Sequence, residues 1–91
     1  MTRNLVKDHN SEAILWDGCD DAIMGMTPNG CVVYSIDRLL DVFIKQGMTE
    51  EEAVEWVDYN ILGAYVGEYT PVHIYEFEPQ IINNNSDALF E

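Results

Sequence analysis

The chain has 91 residues and a mass of 10.4 kDa, the size of one modest domain. Hydrophobic residues make up 47% of it, enough to build a core despite the charge. Seventeen acidic residues against four basic ones give a formal net charge of -13, which excludes a counterion-releasing grip on nucleic-acid phosphates or anionic lipid. No apolar run approaches the roughly 20 residues of a membrane span, and Met1 to Asp8 lacks the apolar stretch of a signal peptide. A soluble, cytosolic protein is the expectation.

In chain order, Met1 to Asn10 carries Arg3, Lys7 and His9 with Leu5 and Val6 as apolar anchors, which predicts a flexible arm over residues 1–10. Ala13 to Trp16 is a short apolar run stopped by Asp17-Gly18, and predicts a first strand. Ala22 to Met26 and Cys31 to Ser35 flank Thr27-Pro28-Asn29-Gly30, whose proline and glycine suit a turn, so these runs predict a hairpin. Ser35 stands where a helix cap belongs, and Ile36, Leu39, Leu40, Phe43 and Ile44 share one arc as far as Gly47.

Thr49-Glu50-Glu51-Glu52 is a capping box opening a second helix, with three acids in the first turn to suit its dipole. Ala53, Val54, Trp56, Val57, Asn60 and Ile61 then share an arc, and Glu51, Glu55 and Asp58 the opposite one. Thr70-Pro71 breaks the helix, and Val72 to Phe77 alternates as a further strand. The class is α+β, with a small, mainly antiparallel sheet and two helices packed on one face. Residues 11–79 form the domain, and the Asn-rich residues 80–91 are expected to be a mobile polar tail.

No catalytic constellation emerges. His73 has no adjacent nucleophile or fixed acid, and reads as an exposed or hydrogen-bonded strand residue rather than a general base. Cys19 and Cys31 are expected as reduced thiols, and with only His9 and His73 as further soft ligands they make no zinc site. Asp17, Asp20 and Asp21 crowd one turn, but D-G-C-D-D does not space its carboxylates as a calcium loop does. Asn60, falling on the apolar arc, needs partners for its amide, supplied by a ligand or by the neighbouring fold. Gly63 and Gly67 lack the Lys and Ser or Thr of a phosphate loop, and their spacing predicts close packing of helix on sheet.

Three blocks also carry a resemblance. D-G-x-D-x-A-I-x-G spans Asp17 to Gly25, and G-M-T-E-E-E-A at Gly47 to Ala53 precedes N-I-x-G-A-Y-V-G-E-x-T-P at Asn60 to Pro71. In these segments, together with Tyr34 before the first helix, the chain resembles a family of short proteins encoded by tailed bacteriophages. Cys19 stands where such proteins often carry an aliphatic residue, and the N-terminal arm and Asn-rich tail lie outside the pattern. The resemblance implies action in the cytoplasm of a bacterial host, where small acidic phage proteins often bind and block host proteins.

The functional expectation is therefore a non-enzymatic, cofactor-free binder. It would occlude a basic surface on a host protein, such as a nucleic-acid-handling defence or replication factor, through Glu51, Glu55, Asp58, Asp17, Asp20 and Asp21. Spread evenly, its charge is about one per 400 Å² of surface, against about one per 100 Å² for B-DNA, so mimicry of nucleic acid requires the acids to be concentrated. The alternative is a small-molecule or divalent-metal site in which Asn60, Tyr65 and Glu68 face the Asp17, Asp20, Asp21 turn. Strand edges and aromatic surface also predict a homodimer.

Overall fold

The computed structural model describes residues 3–77, so the tail expected over 80–91 lies outside the described residues. Arg3–His9 form helix α1. The N-terminal segment expected as a loose arm is thus a helix, for two reasons that sequence periodicity does not show. Val6 is completely buried in the core. The basic side chains on either side of it tie the helix down, Lys7 Nζ donating to the carbonyls of Ala13 at 2.7 Å and Ser11 at 3.3 Å, and Arg3 reaching Asp20.

Ala13 to Trp16 runs outside the sheet, contrary to the expected first strand. Its backbone is anchored through the Trp16 N–H, which donates to the Tyr34 hydroxyl at 2.8 Å, rather than through a strand ladder. A short 3-10 turn over Asp20–Ala22 leads into β1 (Ile23–Met26), which pairs antiparallel with β2 (Val32–Ser35) as the hairpin signal predicts. The connecting turn closes with Gly30 N–H donating to Thr27 O and Thr27 N–H to Cys31 O. Gly30 has φ +98°, and a Cβ there would fall 2.5 Å from Asn10 Nδ2, which itself donates to the Gly30 carbonyl at 2.9 Å. Only glycine meets both conditions.

Helix α2 (Ile36–Lys45) starts on Ser35, whose hydroxyl accepts from the Arg38 N–H at 3.1 Å. Helix α3 (Glu50–Val57) starts on the capping box, with Glu52 N–H donating to Thr49 Oγ1 and Thr49 N–H to Glu52 Oε1. It continues into a single π-helical turn, Asp58–Leu62. The last strand, β3 (Val72–Ile74), lies parallel to β2, with Tyr34 opposite His73, giving the sheet order β1-β2-β3. The fold is α+β with a mixed sheet, antiparallel in one pairing and parallel in the other. The parallel pairing follows from the connection, since α2 and α3 together form the crossover that returns the chain to the same end of the sheet.

The core gathers Val32 and Tyr34 of β2, Leu39 and Phe43 of α2, and Ala53, Val57 and Ile61 of α3 and its extension. Leu40 packs at its margin. Val54, expected in the core, is 41% exposed instead. On an ideal helix Val54 and Trp56 lie about 80° to either side of the Ala53–Val57 direction, so a helix seated by a narrow stripe leaves both at its flanks. Gly67 does not mediate helix-on-sheet packing, because the space around its missing Cβ is open. It serves a turn instead, at φ +118°, where its carbonyl accepts from the Thr70 hydroxyl at 2.6 Å. No described helix is long and apolar enough to cross a membrane.

Candidate functional site

Charge placement separates the surface into compensated and uncompensated parts. The chain has four cationic side chains, and each is engaged away from α3. Arg3 reaches Asp20 Oδ2 at 3.1 Å and Asp17 Oδ1 at 3.5 Å. Arg38 pairs with Glu76 at 3.0 Å, Lys45 with Asp41 at 3.0 Å, and Lys7 caps backbone carbonyls. Glu50, Glu51, Glu55 and Asp58 are all exposed and have no cationic partner among the described residues.

That uncompensated face also carries apolar surface. Val54 sits between Glu50, Glu51 and Glu55 in a shallow depression of about 460 Å³. On the opposite flank of the helix Trp56, 39% exposed, packs its indole against Phe43 with ring centroids 4.6 Å apart. Tyr59 projects from the π-helical turn and is 85% exposed. Trp56, Tyr59, Glu52, Glu55 and Asn60 line a second depression of about 210 Å³. Three carboxylate positions on this face, Glu51, Glu55 and Asp58, are legible from helical spacing alone. Val54, Trp56 and Tyr59 are not, since the spacing assigned the first two to the core, and the only signal for their exposure was their angular distance from Ala53 and Val57.

The acidic turn has a different character. Asp17 and Asp20 share Arg3, a residue 14 or more positions upstream that local sequence offers no reason to place there. Asp21 lines a cleft of about 450 Å³ with Gly18, Arg38, Asp41 and Lys45, where acids and bases alternate. Among the described residues, no three of His, Cys, Asp and Glu come together as a metal site. Asn60 is exposed rather than buried, and its amide donates back to the Trp56 carbonyl at 3.0 Å. The π-helical turn is the cause: its wider winding slips the phase by about one residue, keeping Ile61 in the core and turning Asn60 outward.

Tyr65 and Glu68 are likewise exposed. Glu68 lies beside the hairpin turn, its carbonyl 3.7 Å from Cys31 Sγ. The Asp17–Asp21 turn enters β1 at that strand's opposite end. The two stretches of the alternative site therefore line different parts of the surface.

The other end of the sheet holds an aromatic cluster. Trp16 Nε1–H donates to His73 Nε2 at 2.9 Å, and the His73 ring lies near-parallel to both Trp16 and Tyr34, with centroids 6.0 Å from each. Burial lowers the His73 pKa, in keeping with a neutral ring that accepts at Nε2. Burial also pushes the Tyr34 phenol up to about 12, outweighing its bond from the Trp16 N–H. Cys19 is buried and its pKa raised, first by burial and then by Asp20 and Asp17, so this thiol is a poor nucleophile. Cys31 is a second free, buried thiol. Nearby, Ser35 Oγ donates to Glu76 Oε2, and the Glu76 N–H donates to Asp37 Oδ2 at 2.8 Å, locking the exit of β3 onto the start of α2.

Compared with known proteins, the chain matches no family model, no curated protein and no solved structure.

Proposed function

We propose that the chain is a non-enzymatic binding protein that covers a basic surface on another protein, a host protein in the cytoplasm of a phage-infected cell, using the outer face of α3. The observation that carries this is the uncompensated charge of Glu50, Glu51, Glu55 and Asp58 beside exposed Val54, Trp56 and Tyr59, while every cation of the chain is engaged elsewhere. Net charge steers association and is weakened by salt, while exposed aromatic groups supply the short-range contact that outlasts screening. Phage origin enters through the sequence resemblance. The acidic turn contributes less than expected to such a face, because Arg3 neutralises part of it.

The test is affinity capture from bacterial lysate at 50 and 300 mM salt, comparing the wild type with the E51K/E55K/D58K variant. A partner recovered by the wild type, weakened by salt and lost in the variant supports the assignment. A partner that binds the variant equally well at both salt concentrations, or no partner at all, overturns it.

A further inference from the structure

The two depressions beside α3 lie on opposite flanks and differ in chemistry. The one around Val54 offers carboxylates about a single valine. The other, of about 210 Å³, is lined by Glu52, Glu55, Trp56 and Tyr59, which recur at i, i+3, i+4 and i+7 and so form one continuous stripe, with Asn60 at its end. Two aromatic rings and two carboxylates meet in one small hollow.

Each side chain there is partly committed, and what remains uncommitted defines the ligand. Phe43 holds the Trp56 indole, so its exposed part is a preset platform with little freedom left to lose on binding. Glu52 Oε1 accepts from the Thr49 N–H and Asn60 Nδ2 donates to the Trp56 carbonyl, which leaves Glu52 Oε2, Asn60 Oδ1 and the Glu55 carboxylate as acceptors. The Tyr59 ring, almost wholly exposed, supplies a second aromatic surface. Acceptors set around aromatic rings call for a group that is cationic, planar and rich in N–H donors. A guanidinium is all three, stacking on a ring while its edge donates to a carboxylate. An ammonium is a more strongly hydrated point charge, and a quaternary ammonium has no N–H to donate. Phosphate-bearing ligands are repelled by the net charge of -13.

We propose that the Trp56–Tyr59 depression receives one arginine side chain of the partner protein, its guanidinium laid on the indole and hydrogen-bonded to Glu55. This rests on the function proposed above and names the side chain that the partner's basic surface presents.

The test titrates the isotope-labelled full chain with the N-acetyl amides of arginine, lysine, trimethyllysine and citrulline, following the two indole N–H signals by NMR. Trp16, whose Nε1–H is bonded to His73 inside the fold, is the internal reference, and W56F assigns the other signal. Arginine should shift the Trp56 signal saturably with a midpoint below about 50 mM, the range of one exposed cation–π contact with an ion pair. That midpoint should be at least about threefold lower than for lysine or trimethyllysine, and citrulline, an uncharged isostere, should give no saturable shift. Y59A and E55Q, both at exposed positions, should each raise it about threefold. E12Q, which removes one charge at an exposed position outside α3, should leave it unchanged.

No saturable shift with arginine overturns the inference, as does an equal midpoint for lysine or trimethyllysine, an unchanged midpoint in Y59A, or a rise in E12Q equal to that in E55Q. If arginine is not distinguished while a captured protein still depends on Glu51, Glu55 and Asp58, this inference alone falls. If no such protein is captured, the functional assignment falls and takes the inference with it.

Discussion

Two side chains at the end of the sheet tie stability to pH in opposite directions. His73 has a lowered pKa when folded, and protonation would set two donors, its own Nε2–H and the Trp16 Nε1–H, against each other. Its contribution is therefore present above the unfolded value near 6.5 and lost as pH falls through the lower folded value. Thermal midpoints should decline from about pH 7 downward before the carboxylates titrate, and His73→Gln, which keeps an acceptor but cannot be protonated, should flatten that part of the curve. Tyr34 behaves in the reverse sense: with its folded pKa about 12 against 10 unfolded, its contribution is intact below pH 10 and lost as pH rises through 12. Tyrosinate absorbance should show one residue ionising together with loss of the fold. Tyr34→Phe removes the acceptor of the Trp16 N–H and should cost roughly 1–3 kcal/mol by denaturant titration. Nothing local signals the Trp16–His73–Tyr34 cluster, because its members come from three segments far apart in the chain. What sequence does show is the lone alternating His73, whose hydrogen-bonded role is borne out.

At the scale of elements, local signals were legible and long-range ones were not. The capping box at Thr49 and Glu52, the Ser35 cap and the Thr27–Gly30 turn involve residues within four positions of each other, so they appear in the structure as read. Helix α1 has no local signature because its stability comes from Val6 in the core and from Arg3 on Asp20, contacts that no window of sequence contains. Asn60 leaves the apolar arc that a constant helical period gives it because that period does not anticipate a π-helical turn. The seating of α3 yields a contrast between its exposed flank and the core. Leu39→Ala, at a fully buried site on α2, should cost about 2–5 kcal/mol, whereas Val54→Ala should change stability by no more than about 0.5 kcal/mol. Thr49→Ala should cost about 1 kcal/mol through loss of the cap. Chemical denaturation of the three variants separates a narrow buried stripe on α3 from a broad one.

For the molecule as a whole, the net charge sets how it meets other copies of itself. Self-repulsion opposes compaction and association alike, so the thermal midpoint should rise with salt up to several hundred millimolar. We propose a homodimer through the open edge of β3, where Val72, Ile74, Tyr75 and Phe77 are exposed and the last two rings stack at 6.5 Å. Light scattering should give twice the monomer mass at high salt, and a mass near 10.4 kDa at every salt and micromolar concentration would refute it. The parallel alignment of β2 with β3 has a kinetic consequence. The hairpin and α2 can assemble from near neighbours, but β3 finds its place only after the whole crossover has closed a long loop, so its docking should come late in folding. Substitutions at Ile74 should then leave the refolding rate almost untouched and speed unfolding, whereas Leu39→Ala should slow refolding. In a cell, the strand that closes last is also the first to let go, which makes the segment bearing His73 and Glu76 the point where a protease would begin.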